Sequence, residues 1–340
     1  MGLHHGDESL NILVTGAGGF VGRHLVALLR REAPGAEIFG LAAWWELQRG
    51  EGPGGPFLEG EELAGNALLA GDLTDLSSLV AALKRAQPDY IFHLAASSFV
   101  PWSYLAPAQV MQVNALGTVN LFEAIRLAAQ DPKVIVCSSP EVFGDTREII
   151  TEATPLRPVS PYALSKCVED LAAYMYHQAY GLRTVVSRGF AHEGPGRGAV
   201  FAVSDFARQI ARIEAGLQPP VVKVGNLGAI RTYCDVRDMV RAYWLLSQKG
   251  EPGEAYNIAG DAMFSLQEVL DRLLALSHRG KEITAVVETA RLRPHDVWSQ
   301  RADDSKFRKL TGWRPELTFS QRTLPDILEY WRQTCGPLKP

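Results

Sequence analysis

The alternation of short apolar runs with amphipathic helical stretches constrains this chain's fold more than any other feature. Strand-like runs fall at Asn11–Thr15, Glu37–Leu41, Leu68–Ala70, Tyr90–Leu94, Val134–Ser138 and Arg183–Ser187. Between them, Val21–Arg31, Leu76–Ala86, Pro107–Gln130 and Pro161–Tyr180 carry apolar residues at the helical period. Strands joined through helices make right-handed crossovers, so the expected fold is α/β, a doubly wound parallel sheet with helices on both faces. Such sheets hold ligands at the carboxyl ends of their strands. Beyond Ser187 the pattern is less regular, with helices at Val203–Glu214, Leu266–Ser277 and Leu324–Gln333 and a strand at Ala255–Ile258.

Composition excludes several partners. A formal net charge of −4 over 340 residues gives no polyanion-binding signature, so no nucleic acid is expected, although a local basic pocket for one phosphorylated ligand is compatible with it. The four cysteines (Cys137, Cys167, Cys234, Cys335) are scattered, which argues against a metal site or a disulfide framework. The first ten residues lack a signal peptide's basic flank and apolar stretch, and no apolar run reaches membrane-spanning length. A cytoplasmic location is expected.

The run TGAGGFVG at 15–22 follows the first strand and opens the first helix. Gly16 permits a tight turn, Gly19 lets backbone approach a pyrophosphate, and Gly22 allows close packing of helix on sheet. The helix N-terminus adds positive partial charge, so a dinucleotide, NAD or NADP, is the expected cofactor. The second strand ends in GLAAWW, with neither an acid for a ribose hydroxyl nor a base for a 2′-phosphate, so NAD against NADP stays open. Arg49 could reach a phosphate or sit in solvent. Asp72 could accept from an adenine amine or cap a helix, a task Thr74 or Asp75 suits better. HLAAS at 93–97 ends the fourth strand with small residues that admit the cofactor, His93 being packed rather than catalytic. Phe20, Val21, Leu73, Leu94, Ala95 and Ala96 complete the expected cofactor surface, and Ser98 is assigned to the substrate side.

SPYALSK at 160–166 starts a helix, with Ser160 as cap and Pro161 in the first position. Tyr162 and Lys166 then project from one face. A nearby ammonium favours a phenolate, so Lys166 is expected to tune Tyr162 and grip the nicotinamide ribose. SSPEVFG at 138–144 ends the fifth strand, and Ser139 there is expected to hydrogen-bond a substrate oxygen.

With these motifs the chain resembles the extended short-chain dehydrogenase/reductases that act on nucleotide sugars. The resemblance identifies Ser139, Tyr162 and Lys166 as a catalytic triad. In the second half HEGPG (192–196), FAVSDFARQI (201–210), KVGNL (223–227), DVRD (235–238) and RLRP (291–294) are similar to the GDP-mannose branch. A nucleoside diphosphate needs guanidinium partners; the resemblance nominates Arg231 and Arg293, with Arg208 and Asn226 shaping the pocket. Arg231 could instead pair with Asp235 or Asp238. The resemblance implies a Rossmann domain from residues 1–188 plus 225–260, and a smaller nucleotide-sugar lobe from 189–224 plus 261–335. It also implies pairing of two subunits through the helices at Pro107–Gln130 and Pro161–Tyr180, as a homodimer.

The chain departs from its relatives at two places. The family's asparagine after the sixth strand is Ala191, with Gly189 loosening the turn and His192 or a backbone amide available as a substitute. Dehydratases carry an acid pair or a Ser–Glu pair where this chain has Pro140 and Glu141, which leaves a base but no acid. The expected activity is therefore reduction of the C4 ketone of a GDP-linked 4-keto-6-deoxyhexose, with 4,6-dehydration through Glu141 and 4-epimerisation as alternatives. A cofactor-bound sensor without turnover would have no use for Tyr162.

Overall fold

The computed structural model describes residues 10–43, 51–52, 55–56 and 68–335. Arg49 and most of the Gly/Pro-rich stretch around it lie outside the described residues. Seven strands form the main sheet: β1 Asn11–Thr15, β2 Glu37–Ala42, β3 Leu68–Ala70, β4 Tyr90–His93, β5 Lys133–Cys137, β6 Arg183–Gly189 and β7 Ala255–Ile258. Their spatial order is β7-β6-β5-β4-β1-β2-β3, every pairing parallel. Strand order reverses between β1 and β4, where Thr15 is in register with His93, and a ligand crevice belongs at such a point.

Helices α1 Phe20–Glu32, α2 Leu76–Ala86, α3 Gly117–Leu127, α4 Pro161–Tyr180, α5 Ala202–Glu214, α6 Val236–Lys249, α7 Leu266–Ala275 and α8 Leu324–Cys335 follow in chain order. Side chains of a strand alternate between faces, and in this sheet both faces are buried. Ile12 and Val14 pack with Leu25, Leu29, Met239 and Leu246 of α1 and α6, whereas Leu13 packs with Leu121, Phe122 and Ala173 of α3 and α4. A third cluster joins α5, α7 and α8 through Phe206, Ile210, Leu270 and Ile327. Ile230–Asp235 lies outside the main sheet, flanked by His192–Glu193, Ala262–Ser265 and Ser299–Ala302.

Two expectations need correction. The single helix expected over Pro107–Gln130 is Pro107–Val110, then wider π-type turns over Met111–Leu116, then α3. Buried Asn114 sits in the wide turns and accepts from Ser97 N at 2.7 Å, while its amide donates to Ser97 O and to Ser165 Oγ. Three hydrogen bonds to a buried amide offset the irregular helix geometry. Gly189 does not loosen a turn. It is the last residue of β6, paired with Ile258, and a Cβ there would stand 2.8 Å from the Tyr243 hydroxyl.

Candidate active site

Gly16 adopts φ +70°, and a Cβ on it would come within 3.0 Å of the Ala95 backbone. The glycine is needed for both reasons. At Gly22 the constraint is different from that expected: a Cβ would meet Gly16 O at 2.2 Å, so the turn itself excludes a side chain, before any packing on the sheet. α1 begins on Gly19 with no side chain capping its first N–H groups. Those donors suit a pyrophosphate, so the turn fits a dinucleotide. Phe20 and Val21 in the first turn are half-buried; the Phe20 ring stacks on His192 with centroids 6.4 Å apart.

Across the crevice, Thr15 Oγ1 accepts from both Leu94 N and Ala95 N at 3.1 Å and lies 3.0 Å from His93 Nδ1. His93 Nε2 is 2.9 Å from Thr118 Oγ1, which donates to Asn114 O. One proton arrangement satisfies the whole chain: Thr15 donates to Nδ1, and a neutral His93 donates from Nε2 to Thr118. Burial, aided by Lys166, pulls the His93 pKa down to about 3. His93 is thus packed, as expected, and it stiffens the floor beneath Leu94, Ala95 and half-buried Ala96. Asp72 Oδ1 accepts from the backbone and hydroxyl of Thr74, while Asp75 caps α2. Leu73 is buried against Gly117.

Ser160 caps α4 by accepting from Ala163 N, with Pro161 in the first turn. Tyr162, Lys166 and Ser139 are all buried. Lys166 Nζ donates to Cys137 O at 2.8 Å and to Glu169 Oε2 at 2.9 Å. Burial raises the Tyr162 phenol above its ordinary range; Lys166 and a hydrogen bond with Ser139 pull it back without reversing the shift. Lys166 thus pulls toward the phenolate as expected, but desolvation outweighs it. Burial opposes the charge on Lys166, yet Glu169 and Tyr162 keep its pKa above the ordinary value.

The substrate-side candidates separate. Glu141 Oε1 lies 3.4 Å from Gln300 Nε2 and 3.9 Å from Arg293 Nη1, beside the triad. Arg293 also approaches Asp296, which accepts from Asn226 at 2.9 Å. Asn226, Arg293, Asp296, Leu227, Leu292 and Trp298 line a cleft of about 420 Å3. Arg231 donates to Ile230 O and pairs in register with Gln300; Asp235 and Asp238 bind Arg237 and Arg241 instead. Arg208 is engaged at 2.7 Å by Asp205, which Arg291 also holds, and it does not line the cleft. His192 Nδ1 is 2.8 Å from Phe190 O, and burial lowers its pKa to about 4, so it is a neutral ring facing Phe20. Ser98 is exposed, next to Ser97, whose backbone Asn114 holds. Sequence reasoning missed Asn114, Glu169 and Gln300. Only Glu169 left a signal, three residues after Lys166 on the same helix.

A dinucleotide cradle facing a serine–tyrosine–lysine set on a doubly wound sheet defines an extended short-chain dehydrogenase/reductase. The GDP-mannose 4,6 dehydratase family model matches residues 13–323. The chain belongs to that family. It is 31% identical to a GDP-6-deoxy-D-mannose reductase from Pseudomonas aeruginosa, over 94% of this chain and 96% of the relative. It is 34% identical to GDP-mannose 4,6 dehydratase 1 of Arabidopsis thaliana, covering 74% of this chain and 70% of that one. The structure of RMD from Pseudomonas aeruginosa complexed with NADPH superposes with a TM-score of 0.77 at 29% identity, covering 95% of this chain and 99% of that one.

Proposed function

We propose that this protein is an NAD(P)-dependent oxidoreductase that reduces the C4 ketone of a GDP-linked 4-keto-6-deoxyhexose. What carries the reading is Tyr162, a phenol buried beside Ser139 whose pKa desolvation raises. A reductase needs such a proton donor at the start of its cycle. When bound, a reduced nicotinamide supplies the hydride. Tyr162 gives its proton to the C4 oxygen, Ser139 donates a hydrogen bond to the same oxygen, and Lys166 stabilises the phenolate left behind while its remaining N–H holds the ribose. Arg293, with Asn226 and the apolar wall of the cleft, suits the nucleoside diphosphate.

A 4,6-dehydratase is the second reading, favoured by relatives of that name. It requires Glu141 as a free base, but Glu141 is flanked by Arg293 and Gln300, and Pro140 supplies no acid. Epimerisation at C4 is the third. The sequence after β2 leaves NAD against NADP open, so both cofactors belong in the test. Purified protein is incubated with GDP-mannose, then with its 4-keto-6-deoxy derivative plus NADPH or NADH. Stoichiometric loss of reduced cofactor with the second substrate supports the reductase; water loss from the first without net cofactor change refutes it in favour of the dehydratase.

The same reading includes two lobes, 1–188 with 225–260 and 189–224 with 261–335, except that Ile230–Asp235 pairs with strands of the second lobe rather than the main sheet. It also includes a homodimer. Leu164, Leu171, Tyr174 and Met175 expose an apolar stripe along α4, joined by Leu116 and Leu127 beside it. Among the described residues no helix is long and apolar enough to cross a membrane, and no His/Cys/Asp/Glu group suits a metal. Cys137, Cys167, Cys234 and Cys335 are unpaired thiols, which suits a reducing, cytoplasmic setting.

A further inference from the structure

Glu169 has no place in the triad, yet it is 1% exposed and its Oε2 lies 2.9 Å from the ammonium of Lys166. Its Oε1 is buried without a hydrogen-bond partner. A carboxylate in that position is costly unless its charge is used. Lys166 has three donors: one goes to Cys137 O, one to Glu169, and one remains. We propose that Glu169 is a positioning residue that fixes the Lys166 ammonium and offsets its field at Tyr162, keeping the phenol protonated for proton delivery.

The inference rests on the reduction reading, because a dehydratase must start from a phenolate whereas a reductase must start from a phenol. Neighbouring groups do not supply the same charge. Asp170, the next residue, is neutralised by a two-point contact with Arg188 of β6. Cys137 of β5 and Cys167 of α4 have thiol pKa values pushed up by burial to about 12, and Tyr243 of α6 is raised well above its ordinary value by burial. His93 of β4 stays neutral above pH 3 or so. Glu141 also acts on Tyr162, more weakly, with Arg293 3.9 Å from it. Glu169, raised by burial to about 7 and held down by Lys166, is the anion that acts above neutrality.

The test uses the holoenzyme and its Glu169→Gln variant. Tyr162 ionisation is read as the phenolate absorbance difference against Tyr162→Phe in each background, beside the pH profile of NAD(P)H consumption. Seven helical residues separate the two groups by about 10 Å, which at an effective dielectric near 20 amounts to about one pH unit. Glu169→Gln is expected to move both curves down by about that much, and Glu169→Asp to stay near the wild type. Unmoved or upward-moving curves overturn the proposal. If the Gln variant does not fold, a carbon-13 titration of labelled glutamates in the wild type decides: an ionised Glu169 at pH 8 supports the proposal, and a protonated one overturns it. A shifted phenolate titration without NAD(P)H consumption would fault the reduction reading and leave Glu169's role standing.

Discussion

Replacing His93 by Gln should flatten the acid side of this protein's stability curve. His93 is 1% exposed and its pKa falls from 6.5 to about 3, chiefly through burial and secondarily through Lys166. The unfolded chain therefore binds a proton below pH 6.5 that the folded chain refuses. Stability is intact above that pH and is lost as pH falls toward 3, at about 1.4 kcal/mol per unit. At pH 5 the loss is about 2 kcal/mol, and at pH 3 about 5 kcal/mol. Glu169 and Glu193, both raised to about 7 by burial, contribute with the opposite sign between their unfolded value and neutrality. They are present in both proteins and cancel in the difference. Gln can still donate to Thr118, so the comparison isolates the titration. Urea unfolding at pH 7.5, 6 and 5 should show the variant losing about 2 kcal/mol less than the wild type over this range. Parallel curves for the two proteins would refute a neutral, buried His93.

Gly22→Ala places a methyl where only 2.2 Å separates it from Gly16 O; the turn must shift, with a stability loss of about 1–3 kcal/mol and weakened dinucleotide binding, read by thermal melts with and without NADPH. Arg293→Met should raise KM for the nucleotide sugar by about tenfold to a hundredfold with little change in kcat, in keeping with a charged hydrogen bond worth about 1.5–3 kcal/mol; an unchanged KM would remove Arg293 from the substrate cleft. Leu171→Asp puts a carboxylate in the exposed stripe of α4; sedimentation is expected to give a dimer for the wild type and a monomer for the variant, and equal masses would sink the proposed interface.

Local pattern was enough to read the strands and helices that flank the proposed site. Strand boundaries fell within two residues of those expected, because runs such as Ile12–Val14 are buried on both faces and have no polar alternation to blur them. Ser160 and Pro161 started α4 as read, since capping depends on near neighbours only. Glycine spacing located the turn at 16–22 for the same reason. Other features needed partners distant in sequence. The break in the helix at Met111–Leu116 follows from Asn114 reaching Ser97 and Ser165, and no periodicity reports such a contact. Arg231 and Arg293 looked alike as diphosphate partners, yet the first donates to Ile230 O while the second lines the cleft.

The sequence by itself determined which chemistry is available: a glycine turn after the first strand, a hydroxyl after the fifth, and a phenol and an ammonium on the helix that follows. Only the tertiary structure decided how those groups are charged. Burial raised Tyr162, drove His93 to neutrality and left Glu169 against Lys166, because desolvation depends on everything packed around a group, and a linear order of residues does not contain that quantity.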